Sequence, residues 1–408
     1  MFASTTAQLN HTALLRRGFL LGGAVISLAA ANCARATPPP APGVAEPLRL
    51  ATIALDDLLR HFWDGPAEFG RILPTWHGLS SGIELVPDAR GALWERAMLF
   101  NALYEFHALT KAPTIATRLR SDWHWVRSAF TETDLTSCGR QAQANWASDD
   151  AGWDCLYFLQ AHSITGDETA LAYAQGAVRF AYDRWRDGAL GGGLWYNDDR
   201  TSKSLYETAL ALAALDLYTL TDSRWFLNAA IGSEAWIRTH LRRPDGLYWC
   251  TATAAGPDGQ ERPQDIHAGA SVTYLGGNMG ISVLQVRLAR ILDRPELQQA
   301  AEETAQAVAR RLVDVDGALL DDRDAWNDGY FAAAWAQEVL SPTGPEADSL
   351  RRTAAAIAAR DRTMDGFYGP DWDGENPDSR WSRGSTRPQQ IMTSASAATI
   401  IVAAASLP

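Results

Sequence analysis

Apolar residues recur every three or four positions through most of this chain, with few β-branched runs between them. The segment with Leu205, Ala209 and Leu212 shows the spacing clearly, and it is the spacing of one face of an α-helix. Asp222 and Asp293 stand where N-caps of the following helices are expected. The pattern predicts twelve helices, near residues 48–63, 89–109, 112–130, 149–164, 167–187, 203–220, 222–241, 270–291, 294–312, 325–340, 344–360 and 387–406.

Two families of connections alternate between these helices. The short ones lie at Thr110, Thr165, Thr221, Leu292 and Pro342, at intervals of about 50–70 residues, which is the signature of a repeat. The longer, Gly-containing ones lie out of phase with them, at Gly192, Gly246, Gly317 and Gly366. We therefore predict an all-α single domain, an (α/α)6 toroid of six helical hairpins around a central cleft. An open α-solenoid of the same hairpins, which would be a binding scaffold, is the alternative.

The N-terminal residues read as an export signal. Arg16-Arg17 is followed by Gly18-Phe19-Leu20 and an apolar stretch up to Ala31, which is too short to span a bilayer and resembles a twin-arginine signal. We predict a signal at residues 1–36, a Pro-rich tether at 37–47 and the catalytic domain at 48–408. The protein is therefore expected outside the cytoplasm, in the periplasm or cell envelope or secreted.

Processing of the signal has two alternatives. Cys33 stands where a lipoprotein would be acylated, although Ala30 and Asn32 fit a lipobox poorly. An ordinary cleavage after Ala36 competes with lipidation. No second segment is long and apolar enough to cross a membrane, so membrane contact is expected only through the signal or a lipid anchor.

Composition narrows the function classes. The net charge of −12 and the pI near 5.1 repel polyanions, so nucleic acid is excluded as a partner. Sixteen Trp residues suit either sugar binding or the packing of a large helical core. Beyond the signal, Cys138, Cys155 and Cys250 are too few for a disulfide scaffold and lack zinc-ligand spacing. We predict a monomer with no metal and no cofactor.

Vicinal aspartates occur four times, so the neighbouring residues must decide which pair is the catalytic candidate. Asp56-Asp57 falls within a predicted outer helix and is expected to face solvent, whereas Asp321-Asp322 lies in a polar connection. Asp198-Asp199 follows a Gly-rich segment. Asp149-Asp150 differs from the other pairs because it opens a predicted helix between Trp146 and Trp153.

Two carboxyl groups at such a place suit glycoside cleavage. One protonates the leaving oxygen, while the other attacks the sugar or activates water. The alternative is that Asp149-Asp150 is a doubled N-cap.

Several segments resemble glycoside hydrolase family 76, the endo-α-1,6-mannanases and their cell-wall transglycosidase relatives. They are DDAGWDCLYFLQAHSITGD at 149–167, GGGLWYNDD at 191–199 with Lys203 and Glu207 after it, Thr273-Tyr274, and TSASAATIIVAAA near the C-terminus. The resemblance covers about residues 90 to 405. It implies an (α/α)6 toroid that acts on α-linked, α-1,6-mannan-type glycan with retention of anomeric configuration. Asp149 is then the nucleophile and Asp150 the general acid/base, and the polysaccharide or oligosaccharide contacts are Trp146, Trp153, Trp195, Tyr196, Asn197, Tyr274 and Asn278.

The sequence also departs from the family pattern. Asp154 follows Trp153 where a second aromatic is usual, which makes Asp154 either a modulator of the general acid or an exposed residue. Leu275-Gly276-Gly277 and then Asn278 replace the usual Asn-Gln-Gly, and Trp326-Asn327-Asp328-Gly329 replaces Phe-Lys-Gly. Envelope transglycosidase activity and a non-catalytic glycan-binding toroid remain the alternatives.

Overall fold

The structure is a computed structural model that describes residues 45–63, 93–129, 147–253, 262–264, 273–320, 328–364, 366–368, 372 and 389–408. The chain separates into Met1–Ala41 and a compact unit, Pro42–Pro408, and every described residue belongs to the second unit. The predicted signal and Cys33 lie outside the described residues. So do Cys138, Trp146, Asp321-Asp322 and Trp326-Asn327.

Twelve helices are present within the described residues, close to the predicted positions. They are α1 (Ala45–Phe62), α2 (Leu93–Thr110), α3 (Pro113–Ala129), α4 (Ser148–Thr165), α5 (Glu168–Trp185), α6 (Glu207–Thr221), α7 (Arg224–His240), α8 (Leu275–Leu292), α9 (Pro295–Arg311), α10 (Asp328–Glu338), α11 (Pro345–Ala356) and α12 (Gln389–Ser406).

The even-numbered helices form a closed inner ring. Each of α2, α4, α6, α8 and α10 packs against the next, and α12 packs against both α10 and α2. The odd-numbered helices cover the outside of this ring, α1 lying against α12. The predicted (α/α)6 toroid is therefore confirmed, and the open solenoid is excluded because the first and last inner helices are in contact.

Burial explains which helices lie inside. All residues of α8 from Leu275 to Val286 are buried, as are those of α6 from Glu207 to Leu215. The outer helix α9 instead exposes one side, which carries Glu302 and Gln306. A helix that is apolar on every side must be covered on every side, whereas an amphipathic helix needs cover on one.

Short connections lead from each inner helix to its outer partner, as predicted, but the capping prediction is wrong. Asp222 and Asp293 adopt the left-handed conformation with φ of 54° and end α6 and α8 rather than capping the helices that follow. Aspartate tolerates this conformation, so it can replace the usual C-terminal glycine. Asp167 does cap its helix, because its carboxylate accepts the Thr169 N–H.

A small antiparallel sheet lies among the long connections and was not predicted. Its strands are β1 (Ser202–Ser204), β2 (Thr251–Thr253) and β3 (Arg262–Gln264), in the order β1-β2-β3. Ser204 pairs with Thr251, and Thr251 pairs with Gln264. Helix α6 consequently begins at Glu207 and not at the predicted residue 203, because the residues before it pair with β2.

Asp57 corrects a second expectation, that of a solvated Asp56-Asp57 pair. Asp56 is exposed, but Asp57 is buried and accepts hydrogen bonds from Arg60, Arg362 and Tyr368. A buried carboxylate needs such partners because its desolvation is costly. Asp57 thereby joins α1 to the segment that follows α11, near the other end of the chain.

Two predictions about cysteines and membrane spans concern described residues. Cys155 and Cys250 are both buried, and no disulfide joins these two cysteines in the described part of the chain. Among the described residues, no helix has the length and apolar character that crossing a membrane would require.

Candidate active site

The first turn of α4 is held by a Gly-rich loop, defined here as residues 187–197. The Ser148 N–H donates to the Tyr196 carbonyl oxygen at 2.7 Å. Ala147, the residue before the helix, forms an antiparallel bridge with Asn197. Backbone contacts with the Gly-rich loop therefore fix the start of the helix that carries Asp149 and Asp150.

Asp149 and Asp150 have different environments. The Oδ2 atom of Asp150 accepts the Ala147 N–H at 3.0 Å, so Asp150 caps its own helix. The Asp149 side chain is 7% exposed, and its Oδ1 atom is buried with no hydrogen-bond partner among the described residues. A cap accounts for Asp150 but not for Asp149, because burial of an unsatisfied carboxyl oxygen costs stability and serves no cap.

The pair also has unusual acidity. Burial, and then the charge of Asp150, raise the pKa of Asp149 to about 8, against the opposing effect of backbone N–H groups at the start of α4 and of the Trp153 indole N–H. Two adjacent carboxyl groups in a buried place resist double ionisation. The free protein therefore keeps one proton on the pair near neutral pH.

Three tyrosines form a row beside the pair. The rings of Tyr196 and Tyr206 lie 5.9 Å apart, and those of Tyr206 and Tyr274 lie 4.5 Å apart. The charge of Asp149, followed by burial and the charge of Asp150, raises the pKa of Tyr196 well above its ordinary value. Tyr196 therefore lies next to the carboxyl pair, with its hydroxyl kept protonated.

Tyr206 was missed by sequence analysis. Burial raises its pKa, and the charge of Asp149 contributes in the same direction. Its signal was its position between Lys203 and Glu207 in the segment that resembles family 76. Tyr206 and Tyr196 are half-buried and Tyr274 is buried behind them, so the two half-buried rings supply an aromatic surface suited to the apolar face of a sugar ring.

Trp195 and Trp153 are packed within the protein in this structure, and their assignment to sugar binding stays a prediction. The Trp195 ring is 5% exposed, its Nε1 donates to Asp187, and the Lys203 ammonium lies 4.6 Å from the ring centroid. Trp153 is fully buried against Tyr330 and Phe331. Both indoles are large apolar groups that fill space between elements.

Asn278 is held by hydrogen bonds within the protein, and its contact with sugar stays a prediction. Its Oδ1 accepts the Tyr248 N–H at 2.9 Å, and its Nδ2 donates to the Tyr274 carbonyl at 2.8 Å. The side chain is fully buried, and both ends of the amide are used. Asn278 thereby fixes Tyr274 at the start of α8.

Asn197 and Asp154 are two further predicted site residues with buried side-chain oxygen atoms. The Asn197 Oδ1 atom is buried with no hydrogen-bond partner in the described part of the chain, beside the start of α4. Asp154 is 1% exposed, so the alternative that it is an exposed helix residue is wrong. Asp154 lies one helical turn after Asp150, and its influence on the protonation of this general acid stays a prediction.

Asp198-Asp199 belongs to the surface. Asp198 accepts hydrogen bonds from Arg184 and from the Trp185 Nε1, and Asp199 accepts from Thr201. The Arg184 contact holds the pKa of Asp198 below its usual range. Both residues are exposed and Asp198 is paired with Arg184, unlike the buried Asp149.

Comparison with known proteins agrees with this geometry. The sequence pattern of glycosyl hydrolase family 76 matches residues 51–260, more than half of the chain. The chain belongs to glycosyl hydrolase family 76. The match includes Asp149-Asp150, the Gly-rich loop and the row from Tyr196 to Tyr206. A search of curated proteins found no match to this family 76 chain.

Solved structures share the toroid at low sequence identity. An inactive variant of the α-1,6-mannanase GH76A from Salegentibacter sp. HEL1_6, solved with α-1,6-mannotetrose, is 16% identical; it has a TM-score of 0.69 and covers 89% of this chain and 99% of its own. The family 76 mannosidase Bt3792 from Bacteroides thetaiotaomicron VPI-5482 is 14% identical with a TM-score of 0.61 over 88% and 98%. An unsaturated glucuronyl hydrolase specific for heparin is 13% identical, also at 0.61, over 89% and 96%. This last similarity shows that the family 76 fold is shared with enzymes for other glycans.

Proposed function

We propose that this family 76 glycosidase cleaves α-1,6-linked mannan with retention of anomeric configuration. Asp149 attacks the anomeric carbon, and Asp150 first protonates the leaving oxygen and then activates water. The observation that carries the proposal is the buried carboxyl of Asp149, whose Oδ1 atom has no hydrogen-bond partner in the described part of the chain, beside Asp150 at the start of an inner helix. The family pattern supports this assignment of the two roles.

The protonation of the pair supports the mechanism. A retaining glycosidase needs one carboxylate and one carboxylic acid at its working pH. Burial, and then the charge of Asp150, supply that state, because they hold the pKa of Asp149 at about 8. Substrate binding must place the shared proton on Asp150, which lies at the helix start, so that Asp149 is free to attack.

The choice of mannan rests on the relatives rather than on the fold. The Salegentibacter enzyme is an α-1,6-mannanase, and its inactive variant, which was solved with α-1,6-mannotetrose, carries substitutions at two consecutive aspartates. A heparin-specific hydrolase shares the toroid, so the toroid alone selects no glycan. Family membership and the consecutive aspartates together favour mannan.

The test is incubation with α-1,6-mannooligosaccharides of defined length. We expect shorter products by mass spectrometry, and α-anomers formed first by NMR. α-1,4-Glucooligosaccharides of the same length serve as the control and should remain intact. Products longer than the substrate would instead assign transglycosylation, and an unchanged α-1,6-mannooligosaccharide would overturn the proposal.

We also propose export of the folded protein through the twin-arginine route. Arg16-Arg17 followed by an apolar stretch supports it. The double change Arg16→Lys and Arg17→Lys keeps both charges, and we expect it to leave the precursor in the cytoplasm by cell fractionation. The variant Arg35→Lys, outside the motif, should be exported normally. Accumulation of the double variant outside the cytoplasm would contradict this route.

A further inference from the structure

Lys203, on strand β1, is fully buried within the Gly-rich loop. Its ammonium donates to the backbone oxygens of Ala189 at 2.6 Å, Gly192 at 2.5 Å and Gly193 at 3.3 Å, and to the Asp187 carboxylate at 3.1 Å. Burial of a cation is costly unless its donors are satisfied. The loop satisfies them by turning its carbonyl groups towards the lysine.

The three glycines allow this arrangement. Gly191, Gly192 and Gly193 have φ values of 77°, 111° and 72°, a region that residues with a side chain rarely occupy. A Cβ on Gly193 would lie 2.5 Å from the Trp236 ring. Glycine at these positions therefore lets the loop wrap around the ammonium of Lys203 while it packs against Trp236.

Glu207 holds the same loop from another side. It is the first residue of α6, it is 1% exposed, and its Oε2 accepts the Leu194 N–H at 2.9 Å. Burial raises the pKa of Glu207 to about 7. Lys203 thus binds the carbonyl oxygens of the loop, and Glu207 binds an N–H group only one residue beyond Gly193.

Contacts from this loop reach the catalytic helix directly. Two residues after Leu194, the Tyr196 carbonyl accepts the Ser148 N–H, and Asn197 bridges to Ala147. These are the backbone contacts that precede Asp149. A displacement of the loop would therefore displace the first turn of α4.

We propose that Lys203 and Glu207 are positioning residues for the carboxyl pair, acting through the Gly-rich loop. The inference rests on the proposed function, because it assigns them to the same reaction. Neither residue contacts Asp149 or Asp150 through any hydrogen bond in the described part of the chain; both act on the backbone that orients the pair. Misplacement of a catalytic group by about 1 Å can lower turnover about 100-fold.

The test compares Lys203→Met with Arg200→Met. Both side chains contact Asp187, but Arg200 is exposed and does not reach the loop carbonyls near Gly192. For Lys203→Met we expect kcat on α-1,6-mannan to fall by about 100-fold with KM within about threefold, and Arg200→Met to retain kcat. Equal kcat in the two variants would overturn the role of Lys203.

Hydrogen exchange by mass spectrometry gives a readout that needs no turnover. Amides of residues 147–153 should exchange faster in Lys203→Met than in the wild type, and at the wild-type rate in Arg200→Met. Unchanged protection in Lys203→Met would overturn the positioning role even if the wild type cleaves no mannan. Inactivity of the wild type would overturn the proposed function alone.

Variants of Glu207 test the proposal even if Lys203→Met does not fold. Glu207→Gln keeps an oxygen acceptor for the Leu194 N–H, so its kcat should stay within about threefold of the wild type, whereas Glu207→Leu should lose about 100-fold. Asp167→Ala, which removes the α5 cap at the opposite end of the hairpin, should lower the melting temperature and leave kcat unchanged. Comparable kcat in Glu207→Gln and Glu207→Leu would overturn the role of Glu207.

Discussion

Asp149→Asn abolishes turnover of mannan and of activated aryl α-mannosides alike, because no covalent glycosyl-enzyme can form without the nucleophile. We expect a loss of roughly four orders of magnitude, the scale seen when a hydrolase loses a catalytic carboxylate. Steady-state kinetics on both substrate types measures it. Added azide should restore cleavage of the aryl glycoside with inversion, since azide attacks the anomeric carbon in a single displacement.

The melting temperature of Asp149→Asn, measured at two pH values, distinguishes the loss of catalysis from misfolding. Because the pKa of Asp149 is raised in the folded state to about 8, the folded protein holds a proton that the unfolded chain releases near pH 4. The contribution of Asp149 to stability is therefore complete below about pH 4 and is lost as the pH rises through about 8. Asp149→Asn removes this loss, so its melting temperature should exceed that of the wild type at pH 8, and by less at pH 5.

Asp198→Asn is the matched control. Asp198 is exposed and paired with Arg184, which lowers its pKa, so its stabilising effect is present above about pH 4 and is lost in acid. We expect it to retain full activity. If Asp198→Asn instead abolishes cleavage, while Asp149→Asn changes only the melting temperature, the catalytic pair is wrongly assigned.

Asp150→Asn has a different effect on the two substrates. Mannan cleavage should fall by about 10²–10⁴-fold, the usual contribution of a general acid. An aryl α-mannoside with a good leaving group needs little protonation, so it should give a burst of aryl alcohol and then slow turnover. Azide should accelerate the second phase and yield an α-mannosyl azide, because it intercepts the covalent intermediate. Stopped-flow absorbance and NMR of the azide product measure both.

The same experiments decide the division of roles within the pair. In the free protein Asp149 carries the raised pKa, whereas Asp150 accepts a backbone N–H at the helix start, an environment that favours a carboxylate. If the burst and the retained azide product arise in Asp149→Asn, while Asp150→Asn is inactive on every substrate, Asp150 is the nucleophile. On our assignment, the proton lies on Asp149 in the free protein, and substrate binding moves it to Asp150.

The helices and their closure into a ring were accessible from sequence because both depend on local patterns. A face of apolar residues at helical spacing needs no distant partner to be recognised. Alternating short and long connections then restrict how hairpins can stack. Strand β1 was missed for the opposite reason, since three residues show no periodicity and their partner, β2, lies far along the sequence.

The candidate site was only partly predictable. Asp149 and Asp150 were found because two carboxyl groups between tryptophans at a helix start are uncommon. Trp195 and Asn278 have residue types that suit sugar binding, but the sequence pattern does not reveal their burial or the hydrogen bond between Asn278 and Tyr248, which depend on distant parts of the chain. Asp57 was misjudged in the same way, because Arg362 and Tyr368 reach it from the other end of the chain.

Closure of the ring by α12 has a consequence for synthesis of the protein. Helix α12 occupies the inner position between α10 and α2 and also contacts α1, yet it begins at Gln389, whereas α2 ends at Thr110. The ribosome must therefore synthesise all the helices from α3 to α11 before α1 and α2 can meet α12. Until then the apolar inner faces of α1 and α2 stay uncovered, and a chaperone that shields these faces would favour completion of the ring.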